Sequence, residues 1–290
     1  MANYPRSDYC IAAYYLSRLT GIPLATYMHD LWMENQSNKL DIKLAELYES
    51  KIMYHSKIVY AITEKAKDFY QNKYKINNIV ILPHSIDTDF NINYKDEIKN
   101  DVAGEFLEEN EKIKIVFVGA IYEMNLDTLQ FVTRAIEGSN FNLLLCTTTP
   151  KISLHKMGLL NDNVMSTMTS RSDAWSIQKK SDIILVPLSF SAIKCEIETV
   201  FPTKVLEHLL AKTPILSVVP KYSFLYDDIN QYNYSSMITE LNTNQLFEEI
   251  NILVKNTMLT DELINNALIY AKMRNAKDII KIYTDSISLD

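Results

Sequence analysis

Glycine is scarce in this chain: 5 of 290 residues, where ordinary usage of about 7% would supply roughly 20. Asn, Lys and Ile are plentiful instead, so turns are expected to use Asn or Ser, and any glycine-based phosphate motif should be degenerate. Cysteine is also sparse. Cys10, Cys146 and Cys195 are odd in number and scattered, which excludes a disulfide framework and a cysteine metal site and fits a reducing compartment. No apolar run approaches about 18 residues, so no segment is expected to span a membrane. The opening stretch "MANYPRSDYCIAAYYLSRLTG" does not read as a secretory signal, because tyrosines and Arg18 interrupt it and no small-residue cleavage site follows. A basic excess is missing too. The formal net charge is -7, which argues against a nucleic-acid partner, since phosphate binding needs clustered Lys and Arg.

What is present suits a globular protein. The chain is 47% hydrophobic and 22% charged, enough for a sizeable core in one large or two modest domains. Residues 7–21 read as a helix ended by Gly21. "LDIKLAELYESKIMYHS" reads as an amphipathic helix with Leu40, Leu44, Leu47 and Ile52 on its buried side. "PLATYM", "KIVYAI" and "NIVIL" read as strands, and "TEKAKDFYQNKY" as a helix opened by Thr63. A polar, acidic segment at 91–112 reads as a linker with one short helix near its end. Strands then alternate with helices: "IKIVFVG", "FNLLLCT", "NVMSTM", "DIILVPL", "PILSVV" and "YSSMIT", with two helices closing the chain. Such alternation implies βαβ units and parallel sheets. The expected fold class is α/β with two Rossmann-like parallel-sheet domains, the N-terminal one truncated to about three strands. The domains are expected at 1–90 and 113–258, with helices at 259–290 crossing back to the first.

The chemistry centres on "ETVFPTKVLEHLLAKTPIL", residues 198–216. Pro202 and Thr203 fit a helix start, where free backbone N–H groups can meet an anion. Lys204 in the first turn is disfavoured by the macrodipole unless an anion is present. Glu207, one turn in, can face the same cleft and accept two hydroxyl hydrogen bonds, as from a ribose. A solvated Lys and Glu on a packing helix explain the same spacing.

The stretch resembles the P-x-K-x-x-E segment of GT-B glycosyltransferases, notably retaining, family-4-like enzymes of polysaccharide synthesis. "LATYMHDLWMEN", "IVYAITEKAKDFY", "ILPHSIDTDF", "IKIVFVGAIYEMNLDTLQFV" and "SDIILVPLSF" look like further segments of that family, in order and over nearly the whole chain. The resemblance implies roles. Glu207 matches the second of two glutamates eight positions apart, the one that holds the nucleotide ribose. The first falls on Thr199, a departure, with Glu196 and Glu198 nearby but out of register. The loop from Thr199 through Phe201 to Thr203 would present backbone N–H groups to the donor sugar and diphosphate, Gly119 would allow close backbone approach, and Lys204 would compensate for a missing basic pair in "AIYEMN". His29 matches the family histidine at the cleft edge and is the catalytic candidate. His84 lies in the interdomain loop, within reach of the cleft. Trp32 and Trp175 read as core or rim.

The activity so implied is transfer of a sugar from a nucleotide diphosphate sugar to a hydroxyl acceptor, carbohydrate or lipid-linked, in surface polysaccharide or glycoconjugate synthesis. It implies retention of configuration, no metal and no cofactor beyond the donor substrate. The alternative is a non-catalytic GT-B-like binding or scaffold subunit of such a pathway. Family members carry a fuller first domain, so three readings of the chain start stand open: a misplaced start, a partner chain completing the domain, or a natural short form. A cytoplasmic location is expected, with peripheral attachment at the inner membrane face for a lipid-linked acceptor.

Overall fold

A computed structural model describes residues 1–36, 38–88, 98, 100–109 and 111–287. Of the expected linker at 91–112, residues 91–97, 99 and 110 lie outside the described residues. The first part runs β1 (Ala2–Tyr4), α1 (Ser7–Thr20), β2 (Ala25–Met28), α2 (Lys39–His55), β3 (Ile58–Ala61), α3 (Glu64–Tyr74) and β4 (Ile79–Ile81). The second runs α4 (Asp101–Glu108), β5 (Ile113–Val118), α5 (Leu126–Ala135), β6 (Phe141–Cys146), α6 (Lys151–Lys156), β7 (Val164–Thr167), α7 (Arg171–Lys180) and β8 (Ile183–Pro187). It continues through α8 (Lys194–Thr199), α9 (Lys204–Leu210), β9 (Ile215–Val218), α10 (Phe224–Tyr232) and β10 (Ser236–Ile238). The chain closes with α11 (Thr243–Lys255), α12 (Thr257–Met273) and α13 (Ala276–Ile287).

Two all-parallel sheets result, a four-stranded one in the order β1-β2-β3-β4 and a six-stranded one in the order β10-β9-β8-β5-β6-β7. The first sheet thus has one strand more than the three read from the sequence. β1 is three residues long, too short to show a period-2 pattern. Every residue of β6 and β8 is buried, as expected for strands covered on both faces.

Local signals set many of the element ends. Gly21, at φ 74°, closes α1 in the left-handed conformation, where a Cβ would be penalised. Thr63 caps α3 by accepting from the Ala66 N–H at 3.0 Å. Three other left-handed positions are held by Lys75, Lys212 and Asn233. These are turns that glycine normally serves, in agreement with its scarcity.

α2 departs from its expected face. Leu40 and Leu47 are exposed, while Ala45, Glu49, Ile52 and Met53 are buried. The helix is rotated so that Glu49 meets Lys73 of α3 at 3.0 Å. Apolar periodicity cannot register an acid buried through a partner on another helix.

The two sheets are tied together. α13 returns to the first sheet, where Ile279 packs with Tyr27, Tyr60, Ile62 and Leu82, and the Tyr60 and Ser286 hydroxyls lie 2.6 Å apart. The Thr63 hydroxyl donates to the Thr199 carbonyl at 2.8 Å. Lys65 pairs with Asp227 at 2.5 Å. α8 rests on α3, with Cys195 packed against the first-sheet core. No helix among the described residues is long and apolar enough to cross a membrane.

Candidate active site

In an open parallel sheet, ligands bind beyond the carboxyl ends of the strands where the strand order reverses. In the six-stranded sheet that point lies between β5 and β8. The two loops that leave it are clamped together. Asp127, at the start of α5, accepts hydrogen bonds from the Phe190 and Ser191 N–H groups and the Ser191 hydroxyl at 2.9–3.0 Å. The Ser189 N–H donates to the Met124 carbonyl at 2.7 Å, and the Thr128 hydroxyl to the Leu188 carbonyl at 2.6 Å.

The first sheet points its own carboxyl ends at the same place. Between them is a cavity of about 350 Å³. His29, Asp30 and Glu34 follow β2 in its wall; Tyr122, Glu123 and Met124 follow β5; and Ile193, Glu196 and Thr199 come from the loop after β8 and from α8. Among the described residues, no lysine or arginine lines it.

Its electrostatics are unusual. Glu196 is 8% exposed and its Oε1 has no hydrogen-bond partner. Burial, then the nearby Asp30, Glu34 and Glu123 carboxylates, push its carboxyl up to about 7. Burial also raises Asp30. Glu34 is the acid with a cation behind it, Lys73 at 2.8 Å. Across the wall, the His29 ring rests on Tyr27 at a centroid distance of 4.0 Å and stacks on His84 at 5.1 Å. Burial lowers the His29 pKa. His84 is held at about 4 by burial, by His29 and by Arg274. Both rings are therefore neutral at pH 7, able to donate or accept a hydrogen bond without bringing charge.

Of the residues singled out from the sequence, His29 and Thr199 lie in this wall. The Thr199 hydroxyl turns back to the Cys195 carbonyl of its own helix at 2.9 Å. Gly119, Phe201, Thr203, Lys204 and Glu207 lie outside it. Gly119 ends β5, and a Cβ there would meet the Phe117 ring at 3.3 Å. The Phe201 side chain is core, 4% exposed, edge-on to Phe224 and beneath the Arg274 guanidinium. Thr203 starts α9 but its side chain makes no capping hydrogen bond. Glu207 is half-buried and accepts from Lys204 at 3.1 Å and from Arg171, at the start of α7, at 3.1 Å. Its neighbour His208 is buried against the Gln178 side chain at 2.6 Å, with its pKa lowered to about 3 by burial, then Lys204.

Sequence reasoning missed Glu196 as a cavity residue, along with Asp30, Glu34 and Glu123, and it missed Arg171 as the partner of Glu207 outside the cavity. Glu196 stands one turn before Thr199 on α8, a six-residue helix too short for a periodic signal. The three-residue spacing from Thr199 was the available clue, since i and i+3 share a helix face. Among the described residues no group of three His, Cys, Asp or Glu side chains is placed to hold one metal ion. The sequence does contain one Asp-x-Asp triplet, Asp87-Thr88-Asp89; Asp87 is exposed, and Asp89 lies outside the described residues.

Comparison with solved structures decides the fold. HepE of Anabaena, solved with UDP and glucose, superposes with a TM-score of 0.71 at 12% identity over 97% of this chain and 76% of that one. The chain has the GT-B fold. An α,α-trehalose-phosphate synthase (UDP-forming) from Burkholderia vietnamiensis matches this GT-B chain with a TM-score of 0.65 at 8% identity, over 95% and 69% of the two chains. A glycosyltransferase from Rickettsia africae matches it with a TM-score of 0.64 at 14% identity, over 96% and 74%. No protein-family model matches the chain, and no curated protein matches it.

Proposed function

We propose that the protein transfers a sugar from a nucleotide diphosphate sugar to a hydroxyl acceptor, with retention of configuration and without a metal. The observation that carries this reading is the cavity at the strand-order reversal, walled by the carboxyl ends of both sheets. The solved GT-B structures it resembles include one in complex with UDP and glucose. That likeness supports a nucleotide-sugar donor.

The donor lies over the second sheet. Glu207 accepts the ribose hydroxyls, displacing the contacts it now makes with Lys204 and Arg171. Lys204, released from its 3.1 Å pairing, faces the diphosphate, whose charge grows as the sugar leaves. Gly119 and the residue 199–203 loop bring backbone close to the sugar and phosphates. A cation and oriented N–H groups aimed at the developing charge are the main means of lowering such a barrier. His29, neutral and at the cleft edge, hydrogen-bonds the donor sugar. Closure of the two domains on bound donor and acceptor excludes water, which protects the donor from hydrolysis. The acceptor, a carbohydrate or a lipid-linked carbohydrate, enters from the first domain. The reaction takes place in the cytoplasm, at the inner membrane face for a lipid-linked acceptor.

Titration calorimetry with UDP, GDP and their sugars tests the reading. A charge-assisted hydrogen bond contributes about 1.5–3 kcal/mol, so Glu207→Ala is expected to weaken nucleotide binding by about tenfold or more. Equal affinity in both proteins removes the ribose role. If the unaltered chain binds neither nucleotide nor its sugars, the function itself is refuted.

A further inference from the structure

We propose that the cavity between the two sheets selects an acceptor group bearing a protonated amine, received by Glu196 and Asp30. The inference rests on the reading that the acceptor enters this cleft, and it names the acceptor's charge. Three observations carry it. First, four carboxylates line the cavity, on Asp30, Glu34, Glu123 and Glu196, and among the described residues no lysine or arginine does. Second, Glu196 is 8% exposed and its Oε1 has no partner. A buried acceptor atom left in that state carries a desolvation penalty, which an incoming N–H or O–H group removes. Third, the acids are not answered from behind. Among the described residues Lys73 neutralises Glu34, which it shares with Glu49, but Asp30, Glu123 and Glu196 form no ion pair.

The titratable groups around Glu196 are Asp30 and Glu34 from the loop after β2, Glu123 and Tyr122 from the loop after β5, and Tyr4 of β1. On its own helix Cys195 adjoins it, and Lys194 is engaged with Glu198 at 3.5 Å. The balance of charge separates three ligand chemistries. A phosphate would enter against the Asp30 and Glu123 carboxylates, and against Glu196 whenever it is ionised, in a half-enclosed site where like charges repel. A neutral hydroxyl satisfies Oε1 yet leaves the mutual repulsion in place. An ammonium brings three donors to be shared between Glu196 and Asp30 and relieves the repulsion as well.

The test uses glucosamine, N-acetylglucosamine and glucose 6-phosphate as probes at pH 6.5, by calorimetry in buffers of different ionisation heat. Glucosamine is expected to bind at least about tenfold more tightly than N-acetylglucosamine, a difference of about 1.4 kcal/mol, and glucose 6-phosphate more weakly than either. Glu196 is mostly protonated at this pH, with its carboxyl at about 7. A bound ammonium favours the carboxylate, so binding should release more than half a proton per site, and Glu196→Gln should abolish both that release and the amine preference. Amine and acetamide sugars binding alike, tighter binding of the phosphate, or no binding of any probe would each overturn the inference. UDP and GDP are titrated alongside. Nucleotide binding without amine preference refutes the acceptor assignment alone. Amine preference without nucleotide binding refutes the transferase reading alone.

Discussion

Replacing Glu196 by glutamine removes a charge that the fold holds at a disadvantage, and the effect should depend on pH in a defined way. The Glu196 carboxyl is raised from its ordinary 4.5 to about 7, first by burial and then by Asp30, Glu34 and Glu123. Between these two values the folded chain binds a proton that the unfolded chain has released. Stability therefore falls as pH rises through the 4.5–7 window, and the loss is complete above it. That displacement is worth about 3 kcal/mol at ~1.36 kcal/mol for each pH interval. The cavity admits water, which relaxes part of the penalty, so about 1–2 kcal/mol is the expected net. Below pH 4.5 Glu196 carries its proton in both states and resembles glutamine in size and polarity. The two proteins should then melt within about 1 °C of each other at pH 4.5, where the unfolded carboxyl is half ionised, whereas at pH 8 the glutamine variant should melt about 2–4 °C higher, since a chain of this length moves by roughly 2 °C per kcal/mol. Calorimetric or fluorescence melts at pH 4.5, 6, 7 and 8 measure the difference. A constant offset at all four values, or a glutamine variant less stable at pH 8, would refute the account of the cavity's electrostatics.

Thr63→Ala should cost about 1–2 kcal/mol, because one hydroxyl caps α3 and also donates to the Thr199 carbonyl of the other domain. Thr63→Ser should restore most of that loss, and urea unfolding of the two variants checks it. Phe201→Ala should destabilise by about 3–5 kcal/mol, as its ring is core at 4% exposure; a loss under about 1 kcal/mol would place the ring in the donor site instead. Sugar transfer, assayed as release of nucleoside diphosphate, should be unchanged after EDTA treatment. Loss of activity restored by Mg²⁺ or Mn²⁺ would overturn the metal-independent reading.

Much of the architecture was legible in local pattern. The runs at 113–118 and 183–187 read as strands, and they are, with 115–118 and all of 183–187 buried. Gly21 and Thr63 marked a helix end and a helix start correctly. The candidate site was legible only in part. His29 and Thr199 were placed where the two sheets meet, but the Phe201 ring went to the core, and Arg171 joined Glu207 from a helix 36 positions away in the chain. The acids of the cavity come from the loops after β2 and β5 and from α8, and no local spacing links them.

The sequence by itself determined the alternation of strand and helix and the parallel class, because these depend on periodicity and on sterics within a few residues. Only the tertiary structure decided which carboxylates share one cavity and what surrounds them. Burial and the field of distant charges are properties of space, and residues separated by more than a hundred positions acquire them only when the two sheets close on each other.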